Sequence, residues 1–132
     1  GKGFVLALDK HYTLAGQAYK GWDDYNEHVY LPYYERFKNA FALTQIVEVA
    51  PRVRVCNMVA QKGYGPGRAI RYNALSDCMD WVYRYSAKAF DHPKIHTPKF
   101  GAGLAGGDWS IIEMLIHDCW VEKGLETTIY TL

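Results

Sequence analysis

Several things are scarce in this chain, and each shortage excludes a class of protein. No apolar run approaches the ~18–20 residues that a membrane-spanning helix needs, and no charged, apolar and small-residue signal pattern opens the sequence. A membrane span is therefore excluded, and the expected location is the cytoplasm. Charge of one sign is scarce too: 15 Lys and Arg against 14 Asp and Glu leave a net charge of +1. That is too little for a nucleic-acid binder relying on a strong basic field. The three cysteines (Cys56, Cys78, Cys119) are odd in number and far apart, so they read as buried, reduced thiols rather than a disulfide framework. None has a base beside it in sequence, so nothing singles one out as a nucleophile. The five histidines (His11, His28, His92, His96, His117) never take metal-ligand spacing with one another. His117 and Cys119 are two apart on one expected helix and face apart, so neither a metal nor a cofactor is expected. An initiator Met is also missing. The chain opens Gly1-Lys-Gly-Phe4, as a fragment or a processed product would.

What is present describes a packed α/β chain. The 132 residues, 49% of them apolar, suit a single domain over 1–132 with a real core. Eleven tyrosines point to partly polar packing or a ligand surface. Short helical pieces are expected over 4–12 and 14–20, and an aromatic, partly helical connection interrupted by Pro32 over 23–38. Residues 45–50 and 53–60 are β-branched or alternating and read as strands, the second of them central. The short link through Pro51 and Arg52 makes them an antiparallel hairpin. Residues 62–67 form a glycine- and proline-rich loop. Leu75, Cys78, Met79, Val82 and Ala89 recur at helical spacing and predict one amphipathic helix over 71–90. Ile112, Leu115, Ile116 and Cys119 repeat the pattern, extended by Trp109 and Trp120, with Asp108 at the N-cap position and Gly124 at the stop. A final strand over 127–131, with Tyr130 in the core, closes a right-handed βαβ unit with parallel pairing.

Between the strand before Pro98 and the last helix lies the most informative stretch. Four glycines (Gly101, Gly103, Gly106, Gly107) strip this loop of side chains. Glycine permits positive φ and close approach of a ligand to the backbone. The first N–H groups of the following helix lack intrahelical partners and are expected to point into the loop. The result is an anion cradle, with phosphate its usual occupant. A bare turn that only packs helix on strand would rarely need four glycines. Gly101-x-Gly103-x-x-Gly106 also matches the dinucleotide fingerprint, yet the next strand ends Tyr130-Thr-Leu132 without the expected ribose-binding acid. No Lys-Ser or Lys-Thr follows the glycines, so the loop is not a P-loop.

The same stretch, Pro98-Lys-Phe-Gly-Ala-Gly-Leu-Ala-Gly-Gly-Asp-Trp109, resembles the end of a macro domain, together with Leu115-Ile116 and the terminal Ile129-Tyr-Thr-Leu132. Further matches stand in family order: Gly1-Lys-Gly-Phe-Val-Leu-Ala-Leu8, Tyr19-Lys-Gly-Trp22, Phe41-Ala-Leu-Thr-Gln45, Asn57-Met-Val-Ala-Gln61 and Ile70-Arg-Tyr-x-Ala-Leu75. They cover nearly the whole chain. The branch most resembled contains ADP-ribosyl-ester hydrolases and the antitoxins that remove ADP-ribose from DNA.

The resemblance implies a three-layer α/β/α sandwich with a mixed central sheet, binding ADP-ribose in a crevice at the strand ends. Gly101, Ala102, Gly103, Leu104, Ala105, Gly106, Gly107, Asp108 and Trp109 would wrap the diphosphate and distal ribose, and Gly1, Gly3 and Phe4 would approach the distal ribose. Asn57 and Gln61, four apart on a strand, present carboxamides on one face, for a ribose, for a distal group or for loop backbone. The chain departs from the branch at three points. Its two leading strands, with their adenine-recognising acid and an Asn, precede the point where this chain begins. The catalytic lysine falls at Gln61, an amide that cannot form a Schiff base, while Lys62 is one place off. An acid after the glycine pair falls at Ala105, leaving Asp108 as the loop's acid, either polarising a water, holding a ribose hydroxyl or simply capping the helix.

Three expectations result. The chain binds ADP-ribose or a derivative and hydrolyses the group on the distal ribose, as an ADP-ribosyl hydrolase or an ADP-ribose phosphate phosphatase. Alternatively, it is a non-catalytic reader of ADP-ribosylated targets. As a third alternative, it is a subunit completed by a partner chain at an exposed sheet edge.

Overall fold

A computed structural model of the chain describes residues 44–60, 70–101 and 106–131. Expectations placed on residues 1–43, 61–69, 102–105 and 132 lie outside the described residues, among them those for Gly1, Gly3, Phe4, Gln61, Ala102, Gly103, Leu104 and Ala105.

The described elements run β1 (Thr44–Ala50), β2 (Val53–Met58), α1 (Tyr72–Ala89), β3 (Lys94–Pro98), α2 (Trp109–Ile116), a π-helical turn (His117–Val121) and β4 (Glu126–Tyr130). This is an α/β protein, and both senses of strand pairing that a mixed sheet requires are present. β1 and β2 form the expected antiparallel hairpin, with Gln45 opposite Asn57 and Val47 opposite Val55. β3 and β4 pair in parallel, with Thr97 opposite Ile129, so β3–α2–β4 is the crossover unit read from the sequence. Among the described residues the two pairs are separate two-stranded sheets, and β2 has β1 as its only partner strand.

The core follows the helical spacing closely. Leu75, Cys78, Met79 and Val82 of α1 are buried, and so are Ile112 and Ile116 of α2, then Cys119 and Trp120 of the π turn. The Trp120 indole N–H donates to the Met79 carbonyl at 2.8 Å, tying the π turn to the middle of α1. Gly124, at φ +86°, ends the helical run as expected.

Three expectations need correction. Ala89 lies at the last residue of α1 and is exposed, because the helix has run past the core by then. The final helix does not stay α-helical to its end. After Ile116 it widens into a π turn, with the Glu122 N–H bonded to the His117 carbonyl at 2.8 Å. Tyr130 is not core. It is 52% exposed on the outer face of β4 and stacks on His96, with 2.8 Å between its hydroxyl and His96 Nδ1. Its neighbour Ile129 takes the inward position, as strand alternation requires.

Candidate functional site

The glycine loop leaves the end of β3 and returns at α2, and its two ends are pinned together. The Gly107 N–H donates to the Gly101 carbonyl at 2.8 Å. Gly101 has φ +78°, a left-handed conformation that costs an L-residue about 1 kcal/mol or more. A Cβ on Gly107 would lie 2.4 Å from the Gly101 carbonyl oxygen and 2.8 Å from the Ile70 side chain. The neck of the loop therefore closes backbone on backbone, over Ile70 and Ile112 from the two flanking segments.

Beyond the neck, the N–H groups of Asp108, Ser110, Ile111 and Ile112 at the start of α2 are already in use, which departs from the expectation that they point into the loop. The Asp108 N–H donates to the Tyr72 hydroxyl at 2.8 Å. The Ser110 N–H donates to Asp108 Oδ1 at 2.9 Å, and the Ser110 hydroxyl to the same oxygen at 2.7 Å. The N–H groups of Ile111 and Ile112 both reach the Asp108 carbonyl at 3.1 Å. Asp108 is thus the N-cap of α2. The Ser110 hydroxyl, followed by the Ser110 N–H, holds its carboxyl below the ordinary aspartate range, so it is ionised at neutral pH. Both side-chain bonds fall on Oδ1, and Oδ2 has no partner among the described residues.

Three chain segments meet at this neck. The Arg71 N–H donates to the Ala60 carbonyl at 2.8 Å, joining the segment after β2 to the start of α1. Tyr72, the first residue of α1, then reaches Asp108. Asn57, further back on β2, donates from its carboxamide to Gln45 Oε1 across the hairpin at 3.1 Å. Trp109 sits just past the neck, edge-on to Phe100 at 6.4 Å, with the Lys99 ammonium 5.4 Å from its ring centre. Sequence reasoning placed Gly101, Gly106, Gly107, Asp108 and Trp109 in one loop and did not single out Tyr72 or Ile70. Both stood inside the quoted Ile70-Arg-Tyr segment, and a tyrosine opening a helix was the available signal.

Other reactive groups lie elsewhere or are quiet. Burial pushes the Cys56 thiol up to about 11, and burial also raises Cys78 and Cys119, so none is a thiolate at neutral pH. The π turn gathers the exposed side chains of His117, Asp118 and Glu122, with ligand atoms within 4.8 Å of one another, at the end of α2 away from the glycine loop. A groove of about 320 Å³ lies on α1 beside Trp81, Arg84 and Tyr85, also away from the loop.

Comparison with known proteins places this arrangement. No model of a protein family matches the chain. The uncharacterised 17.5 kDa protein in the tk-vs intergenic region of Enterobacteria phage T4 is 34% identical over 53 residues, which are 40% of this chain. The match spans 34% of the length of that curated relative. Among solved structures, a protein of unknown function from Bacteroides thetaiotaomicron is 32% identical at a TM-score of 0.82, over 100% of this chain and 79% of that one. A macrodomain protein from Streptomyces coelicolor is also 32% identical, at a TM-score of 0.77, over 98% of this chain and 78% of that one.

The chain belongs to the macrodomain family. The glycine loop, the β3–α2–β4 crossover and the hairpin β1–β2 are therefore parts of a macrodomain. Among the described residues no helix is long and apolar enough to cross a membrane.

Proposed function

We propose that this macrodomain binds ADP-ribose or an ADP-ribose derivative on the loop between Gly101 and Gly107. The observation that carries the reading is the pinned neck: a left-handed Gly101 and a Gly107 without room for a Cβ shape the loop's two ends. Donors for a diphosphate would come from the backbone N–H groups of Ala102, Gly103, Leu104, Ala105, Gly106 and Trp109, since those of Gly107, Asp108 and Ser110 already have partners. Trp109, Asn57 and Gln61 would border the crevice, and Gly1, Gly3 and Phe4 would meet the distal ribose.

The proposal extends to chemistry at the distal ribose. Oδ2 of Asp108 accepts from a water or a ribose hydroxyl; that water attacks the carbonyl carbon or phosphorus of the attached group, the bond to the ribose oxygen breaks, and a proton from the water passes to that oxygen. Backbone N–H groups stabilise the developing charge. Gln61 at the position of the branch's lysine argues against a covalent intermediate on that residue. Three cysteines outside any disulfide fit a reducing, cytoplasmic setting.

Calorimetric titration with ADP-ribose tests the binding: saturable heat is expected, and none at high protein concentration overturns the reading. Turnover of an ADP-ribosyl ester, or of ADP-ribose phosphorylated at the distal ribose, then separates a hydrolase from a reader of ADP-ribosylated targets.

A further inference from the structure

An anion site at a helix start normally draws on the first free N–H groups of the helix. Here the first of those groups is taken by a side chain from another element. The Asp108 N–H donates to the Tyr72 hydroxyl, 36 residues away in sequence, at 2.8 Å. Tyr72 is well placed to hold it. It is the first residue of the 18-residue α1. Its ring packs against the core, and the residue before it is fixed to Ala60 by a backbone bond of 2.8 Å. A phenol on such a mount has little freedom of its own. The loop's exit must come to the phenol.

We propose that Tyr72 is a positioning residue for the ligand loop. Its hydroxyl fixes the loop's exit against α1 and keeps the Asp108 amide out of the set of donors that meet the ligand. The inference rests on the reading of this loop as the ADP-ribose site, which it deepens: the ligand's phosphates are denied the Asp108 amide at the start of α2. The hydroxyl acts at one further point. With its N–H satisfied, Asp108 is held as the N-cap in the rotamer that gives Oδ1 to Ser110.

Tyr72→Phe tests this, since it removes one oxygen and keeps the ring. Two measurements are needed, ADP-ribose titration and amide hydrogen exchange followed by NMR. In the free variant, exchange at Asp108 should accelerate while the amides in the middle of α1 stay as protected as in the parent. ADP-ribose affinity should fall by no more than about fivefold, because binding must now order the unpinned exit and the newly opened amide returns only part of the one lost hydrogen bond. Addition of ADP-ribose should slow Asp108 exchange in the variant but not in the parent, because only in the variant is that amide open to a phosphate. A merely structural tyrosine would not produce this ligand-dependent protection. Unchanged Asp108 exchange in the free variant overturns the pin. Equal ligand protection in both proteins, or in neither, overturns the exclusion of this amide from the site. If the parent itself gives no response to ADP-ribose, the proposed function falls, and exchange in the free proteins still decides whether Tyr72 holds the loop.

Discussion

The Gly107 N–H and the Gly101 carbonyl, 2.8 Å apart, join the two ends of the glycine loop by one backbone bond. No side chain fits at that junction. A Cβ on Gly107 would lie 2.4 Å from the Gly101 oxygen, and this obstacle is backbone, which cannot rotate away as a side chain would. Gly107→Ala should therefore force the neck open and abolish ADP-ribose binding. It should also lower stability by about 1–3 kcal/mol, the usual cost of overpacking. Titration and urea unfolding of the same variant check both parts. Binding that survives the substitution would dissociate the neck from the ligand site.

How much of this was legible in the sequence depended on the kind of signal. The spacing of Leu75, Cys78, Met79 and Val82 encodes burial directly, and α1 follows it almost residue for residue. Asp108 was legible as an N-cap because capping is a local bond, here to Ser110 only two residues on. Tyr72 was not, because its partner lies 36 residues away and nothing in a linear pattern marks that meeting. The π turn at His117–Val121 was hidden for a different reason. Ile112, Ile116, Cys119 and Trp120 satisfy an α-helical stripe just as well, so burial alone cannot separate the two helices. Tyr130 was misplaced because strand alternation fixes which residues share a face but not which face is inward.

Trp120 offers the clearest test of the core. It is among the largest wholly buried side chains, and its N–H bond to the Met79 carbonyl spans 41 residues. Trp120→Phe removes that bond and leaves a void where the second ring stood. Stability should drop by about 2–4 kcal/mol, from the cavity together with the lost bond. Urea unfolding monitored by circular dichroism gives the number. A loss below about 0.5 kcal/mol, the level of an ordinary surface change, would mean that the π turn is not anchored to α1 through this residue.

The hairpin turn holds a stabilising substitution. Pro51 and Arg52 link β1 to β2, and Arg52 has φ +64°. Proline followed by a left-handed residue is the pattern of a type II turn, which favours glycine at the second place. Arg52→Gly should relieve the strain and raise stability by about 0.5–1 kcal/mol, even after the greater freedom glycine brings to the unfolded chain. Arg52→Val, β-branched in the same conformation, should go the other way. The two melting temperatures should lie on opposite sides of the parent's.

Asp108 has a cap to keep and a charge to lose, and one substitution separates them. Asparagine caps helices about as well as aspartate, so Asp108→Asn should leave the fold intact while removing the carboxylate. If the proposed hydrolysis depends on Oδ2, turnover should fall at least about tenfold, with ADP-ribose affinity changed far less. The carboxyl is held below the ordinary range by Ser110, which fixes the sign of its pH effect. Its contribution to stability is complete above the unfolded value near 4 and is lost as pH falls through the lower folded value. The parent should lose stability with acid more steeply than Asp108→Asn, and matching acid titrations would remove the cap bonds from the account.

The thiols set the opposite limit, at alkaline pH. Burial raises Cys56 to about 11 and also raises Cys78 and Cys119. In the folded protein at pH 8 only about one Cys56 in a thousand is a thiolate, too few for rapid alkylation. Iodoacetamide should therefore label the native protein slowly and the urea-unfolded protein quickly at all three sites. Because the folded value is the higher one, the stability linked to these thiols is fully present below the unfolded value near 8.5. It is lost as pH rises toward 11, since the unfolded chain gives up its protons first. Cys56→Ala should flatten that alkaline decline even if it lowers stability at neutral pH by leaving a small void. A decline equally steep in parent and variant, measured by urea unfolding between pH 8 and about 10.5, within the range of the two thiol values, would assign the alkaline loss to groups other than Cys56.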